Sequence, residues 1–123
     1  GYKTDYLPQF FTAESEYKLN TRMDCVEDIS ALIHTKEKLG LQGGILITNP
    51  IPKEDSMDKA YIDSLILQAL KEADEKGIKG KAVTPFLLAE IVKNSHGESL
   101  KANIALVYNN AKLGAKLAVE YFK

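Results

Sequence analysis

The chain has 123 residues, 45% of them hydrophobic and 27% charged, which suits one soluble globular domain. Sixteen Lys and Arg face seventeen Asp and Glu, for a net charge of −1, without the basic excess that marks a nucleic-acid-binding face. No apolar run approaches the ~18 residues that span a bilayer, the lone Cys25 excludes an internal disulfide, and two distant histidines, His34 and His96, exclude a Cys/His zinc cluster. Neither a nucleic acid nor a membrane is expected as a partner, and the cysteine usage fits a cytoplasmic setting.

The chain opens Gly1-Tyr2-Lys3-Thr4-Asp5 with no helix or strand leading in, and reads as one entered in mid-fold. Residues 1–24 show no sustained period; Pro8 and the Phe10-Phe11 pair predict an irregular, partly buried segment with short extended pieces. Asp24 then reads as a helix N-cap, with Glu27 three residues on completing a capping box. Val26, Ile29, Leu32 and Ile33 follow at helical spacing, and Gly40 stands where a helix of this kind closes.

Next comes Leu41-Gln42-Gly43-Gly44-Ile45-Leu46-Ile47-Thr48-Asn49-Pro50-Ile51-Pro52. The short apolar run Ile45-Leu46-Ile47 predicts a strand covered on both faces, as in a parallel sheet. A helix follows from about Asp58 to Glu75, with Ile62, Leu65, Ile66, Ala69, Leu70 and Ala73 as its apolar stripe and Gly77 past its end. A short extended piece is expected over 77–83. Thr84 as N-cap and Pro85 at the first helical position predict a third helix, ended by Asn94 to Gly97. Ser99 is expected to cap a last helix from about Leu100 to Phe122. Helix, strand, helix is the rhythm of an α/β fold: a layered α/β/α architecture with a mostly parallel sheet, represented here by a helix-rich part.

The chemistry-bearing residues are mostly amides. Asn103, Leu106, Asn110 and Leu113 share one side of the last helix, with Asn109 adjoining. An inward-facing amide must find partners. It either satisfies backbone groups within the core or reads a ligand with matching donors and acceptors, such as a pyrimidine edge. Asn49-Pro50-Ile51-Pro52 divides in the same way. It falls beyond the carboxyl end of the expected strand, where ligands sit in open α/β sheets, and two prolines stiffen it. It is either a pocket wall or a rigid turn. Thr84 is either a cap alone or part of an anion site. A thiol beside a helix start, as at Cys25, would carry a lowered pKa. Asp5, His34 and His96 stand without partners, and the lysine-rich runs read as solvated faces.

Taken in order, the blocks Gly1-Tyr2-Lys3-Thr4-Asp5, Pro8-Gln9-Phe10-Phe11, Leu39 to Pro52, Gly77 to Leu88 and Ser99 to Val107 make the chain resemble the C-terminal part of the pseudouridine-5′-phosphate glycosidase, or indigoidine synthase A-like, family. The resemblance implies that residues 1–123 are the C-terminal part of one catalytic domain. It implies a lyase (a pseudouridylate synthase) that reversibly cleaves the C–C glycosidic bond of pseudouridine 5′-phosphate to uracil and ribose 5-phosphate. It further implies a Schiff-base lysine, an acid/base glutamate and a manganese ion bound through an aspartate, all upstream of Gly1, and a homotrimer. No lysine here, Lys3 and Lys81 included, falls in the nucleophile's motif, so this part alone is expected to be inactive. What the resemblance assigns to this chain is substrate binding: Asn103 first, in Ala-Asn-Ile-Ala-Leu, with Asn49, Thr84, Asn109 and Asn110 lining or bracing the pocket. The competing reading is an independent small α/β ligand-binding or interaction module that does no chemistry.

Overall fold

Local hydrogen bonding sets the helix boundaries, and it does so most clearly at the C-terminal ends. The computed structural model describes residues 1–123: α1 (Val26–Lys38), α2 (Lys59–Glu75), α3 (Val83–Asn94) and α4 (Glu98–Tyr121), with single 3₁₀ turns at Lys53–Asp55 and Gly80–Ala82. After α1, the Gly40 N–H donates to the Glu37 carbonyl at 2.9 Å and the Leu41 N–H to Lys36 at 3.1 Å, with Gly40 at φ 65°. This paired pattern satisfies carbonyls that the last turn would otherwise leave free. α2 ends in the same way on Gly77. At the end of α3 the left-handed position falls to His96, at φ 53°, while Gly97 donates back to Val92 at 2.9 Å.

The N-terminal ends depart from expectation more often. Asp58 does cap α2, its carboxylate accepting the Tyr61 N–H at 2.8 Å. Asp24, however, does not cap α1: Arg22 Nε donates to it at 2.9 Å, and the extended Cys25 takes the cap position without a side-chain bond. Nor does Thr84 cap α3. The chain enters through the 3₁₀ turn at Gly80–Ala82, where an extended piece was expected, so the helix starts at Val83 and Thr84 lies inside its first turn. Pro85 is tolerated there because first-turn N–H groups lack helical acceptors. Ser99 is likewise inside α4, and Ser95 does the capping work, its Oγ accepting the Ser99 N–H at 3.1 Å.

The strand expected at Ile45–Ile47 does not form, and neither does the parallel sheet. The only β pairing consists of two isolated bridges, Tyr2 with Met23 and Tyr6 with Lys18. Leu46 is 84% exposed. A strand exists only through its neighbours, because its N–H and C=O groups point sideways. One backbone hydrogen bond reaches residues 43–50, from the Tyr2 N–H to the Thr48 carbonyl at 2.8 Å. Its N-terminal end is held by Lys36, whose Nζ donates to the Leu41 and Gly43 carbonyls at 2.6 Å each; this lysine is a tether and no part of a free solvated face.

Two helix pairs, α1 with α4 and α2 with α3, meet along the contact of α3 with α4. The core that joins them gathers Phe11, Ile51, Ile62, Leu65, Ala69, Ile91 and Ala102. Ile51 is the member contributed by the Asn-Pro-Ile-Pro segment, and at 1% exposure its burial stabilises the fold by about 2 kcal/mol. That one side chain pins the segment against both pairs.

At the far end of α4, Tyr121 closes the molecule on α1. Its ring stacks on His34 with centroids 4.4 Å apart, and its hydroxyl donates to both carboxylate oxygens of Glu37 at 2.9 Å. The Glu37 hydrogen bond raises the phenol above its usual value of 10.0. A raised folded-state pKa means stability that is fully present below the unfolded value and is lost as pH rises through the folded one. Tyr121→Phe should therefore lower the melting temperature at pH 8, with the gap from the natural chain closing as pH rises above 10. A gap that stayed constant across thermal melts over that range would contradict the clasp.

Candidate functional site

Asn49-Pro50-Ile51-Pro52 and α4 are sewn together by two amide bonds. Asn109 Nδ2 donates to the Pro50 carbonyl at 2.8 Å, and Asn49 Nδ2 donates to Asn110 Oδ1 at 3.0 Å. The prolines explain why side chains are used: Pro50 and Pro52 have no N–H to offer, so the segment presents carbonyls that need outside donors. The Asn109 bond is partly buried and the Asn49–Asn110 bond is exposed.

Beside this seam lies a cleft of about 500 Å³. Ile47, Thr48 and Asn49 form one wall, Leu106, Asn110, Leu113, Gly114 and Leu117 of α4 form the opposite one, and Pro8, Gln9 and Phe10 complete it. Gln9 is oriented by Thr12, whose hydroxyl donates to Gln9 Oε1 at 3.0 Å. Thr48 Oγ1 is buried and has no hydrogen-bond partner. The cleft thus combines an aromatic ring, an apolar floor and amides with both donor and acceptor atoms. Those features suit a flat, polar-edged ligand.

The structure brings together three of the five residues singled out in the sequence. Asn49 and Asn110 line the cleft, and Asn109 braces its wall from the side. Asn103 lies two turns before Asn110 on α4, half-buried, and its amide has no partner within the chain. Thr84 is not among these lining residues; it lies in an adjoining, more apolar hollow of about 460 Å³ that shares Gln9 and Phe10 with the cleft. Gln9, Phe10 and Thr48 were not foreseen. Their signal was faint: Thr48 directly precedes Asn49, and the aromatic pair was noted only for its bulk.

Asp5 accepts from Arg22 Nη1 at 2.8 Å. For Cys25 the expected direction is reversed. A backbone hydrogen bond at Asp28 lowers the thiol, but hydrogen bonds to the Asp28 and Glu27 carboxylates and desolvation outweigh it and raise the pKa above 9.0. No group of three or more His, Cys, Asp or Glu side chains converges where a metal ion could bind.

The family model described as indigoidine synthase A like protein matches residues 1–120. The chain belongs to the indigoidine synthase A-like family. Among the family's curated members, a pseudouridine-5′-phosphate glycosidase of Glaesserella parasuis serovar 5 is 53% identical over the whole chain, and one of Staphylococcus aureus is 52% identical over 97% of it. The chain spans only 41% and 39% of the length of these two relatives. Among solved structures, an indigoidine synthase A-like protein from Thermotoga maritima superimposes with a TM-score of 0.86 at 30% identity, over 99% of this chain and 40% of that one. A prealnumycin C-glycosynthase in complex with ribulose 5-phosphate gives 0.79 at 30% identity, over 99% of this chain and 42% of its own. The helical arrangement described above is thus a family feature.

The two amide bonds differ in burial, and their removal should differ in cost. Asn109→Ala leaves the Pro50 carbonyl without its donor and should destabilise by about 1–3 kcal/mol, whereas Asn49→Ala breaks an exposed pair and should cost less than about 1 kcal/mol. Urea unfolding of both variants checks this, and equal losses would contradict the brace.

Proposed function

We propose that this chain forms the C-terminal part of a pseudouridine-5′-phosphate glycosidase, an enzyme cleaving the C–C bond between uracil and ribose 5-phosphate. The observation that carries the reading is the identity of about half of all residues, along the whole chain, to proteins of that name. The likeness to a C-glycosynthase that holds a pentulose phosphate agrees with it. In this reading the family's layered fold with a mostly parallel sheet is completed by the rest of the polypeptide, with Ile45–Ile47 as one of its strands.

A C–C glycosidic bond has no leaving-group oxygen to protonate, so the two-carboxylate route of ordinary glycosidases is closed. An amine nucleophile that turns the opened sugar into an electron sink is the suitable alternative. We assign that lysine, the acid/base glutamate and the ligands of a manganese ion to the part of the enzyme outside this chain. The side chains here do not fit a metal, and no step is derived through one. The proposed trimer and cytoplasmic setting likewise belong to the complete enzyme.

What this chain contributes is recognition of the base. Asn103 carries an unspent donor and acceptor that match the alternating C=O and N–H of a uracil edge. Asn110 and Asn49 line the neighbouring cleft, while Asn109 holds the wall without touching the ligand. Thr84 lies in the adjoining hollow, which shares Gln9 and Phe10 with the cleft.

Asn103→Ala in the complete enzyme should lower kcat/KM for pseudouridine 5′-phosphate by ten- to a hundredfold, as expected for losing a buried polar contact to the ligand. Its melting temperature should move by no more than the equivalent of about 0.5 kcal/mol, since the amide has no partner here. Unchanged kinetics with a clear drop in melting temperature would make Asn103 structural and remove it from the pocket.

A further inference from the structure

α4 carries three different stripes along its 24 residues. One is buried against the rest of the chain, through Ser99, Ala102 and Leu113. A second holds the charges Glu98, Lys101, Lys112 and Lys116. The third consists of Leu100, Ile104, Val107, Ala111 and Ala118, at spacings of 4, 3, 4 and 7 residues, with the C-cap residue Phe122 four further on, and it contains no charged side chain. All six are exposed, Leu100 and Ile104 at 47%, Val107 at 59% and Phe122 at 82%. A helix that ends its packing at the first stripe would carry charges on the other two; a second uncharged stripe belongs to a helix covered on two sides.

We propose that this outer stripe of α4 is the docking surface for the part of the family's polypeptide that this chain does not cover. The identity of that partner rests on the reading above. The stripe's position on the cleft is read from the structure itself. Gly114, on the cleft wall, lies three residues after Ala111 and four before Ala118, so the stripe runs into the cleft at helical-neighbour spacing. Asn103 lies three residues after Leu100 and four before Val107, at the same border. A unit seated on the stripe therefore closes the open side of the cleft and faces the unspent Asn103 amide.

Size favours this occupant over a second copy of the chain. A 24-residue helix is about 36 Å long and about 10 Å wide, a face of about 360 Å². A stable interface between separate chains takes roughly 800 Å² per partner, so the stripe is one part of a larger contact. The curated relatives have more than half of their length left to fold over it, since the chain spans 41% of one and 39% of another.

Co-expression of this chain with the uncovered portion of the Glaesserella parasuis relative tests the surface. The two polypeptides should co-elute on size exclusion as one complex. Ile104→Glu and Val107→Glu, both on the exposed stripe, should each weaken that complex at least tenfold while keeping the helical circular dichroism of the natural chain. Lys112→Glu, on the charged stripe, should leave it intact. Thiol labelling of Ala111→Cys should slow on complex formation, a readout that needs no disruptive change. The proposal is overturned if the polypeptides do not co-elute or if both glutamate variants bind as the natural chain does. It is also overturned if the chain alone forms an oligomer that the glutamates dissociate, which would assign the stripe to a second copy. Co-elution does not depend on which bond the complex cleaves. An assembled but inactive complex would count against the proposed reaction and leave the docking surface standing.

Discussion

The hydrogen bond from Asn109 to the Pro50 carbonyl, with Ile51 buried immediately after it, is the constraint on which the arrangement turns. Two prolines stop the segment from joining a ladder of its own at this point. Its carbonyls must be met by side chains, and its one free apolar side chain must be buried. α4 supplies the donor, and α2, α3 and α4 supply the hydrophobic socket. Once both are in place, the cleft between Thr48–Asn49 and α4 has a fixed width, and the amides along α4 acquire a fixed direction. Stiffness in this segment is thus a device for holding two elements in register.

How much of this was legible in the sequence depended on how local the cause was. α2 was read well because its apolar stripe and the Gly77 just past its end are local to it. The C-terminal ends were equally clear, since a left-handed residue closes a helix through bonds to the turn just before it. The N-terminal ends failed where a distant or neighbouring group competed. Arg22 takes the carboxylate of Asp24, and a 3₁₀ turn moves the start of α3 ahead of Thr84. The parallel sheet was the largest divergence. Ile45-Leu46-Ile47 has the composition of a covered strand, but cover and ladder both come from other segments, which this chain does not provide.

The site was legible in part. Asn49, Asn109 and Asn110 converge because a stiff segment faces a helix of the right length. Composition could not separate the bracing amide from the lining ones; only the partially buried bond to Pro50 does so. Thr84 was attractive as a helix start, but α3 begins two residues earlier than expected, and Thr84 lines the adjoining hollow from inside its first turn. Phe10, Gln9 and Thr48 come to the cleft through tertiary packing of the irregular first segment, which has no period to read.

These features describe a wall that holds the amides of Asn49, Asn109 and Asn110 in position. The most direct measurement is release of uracil from pseudouridine 5′-phosphate by this chain assembled with the portion of a relative that it does not cover. The account predicts turnover by the assembled pair and none by either polypeptide separately. Turnover by this chain alone, or a stable pair that releases no uracil, would contradict it.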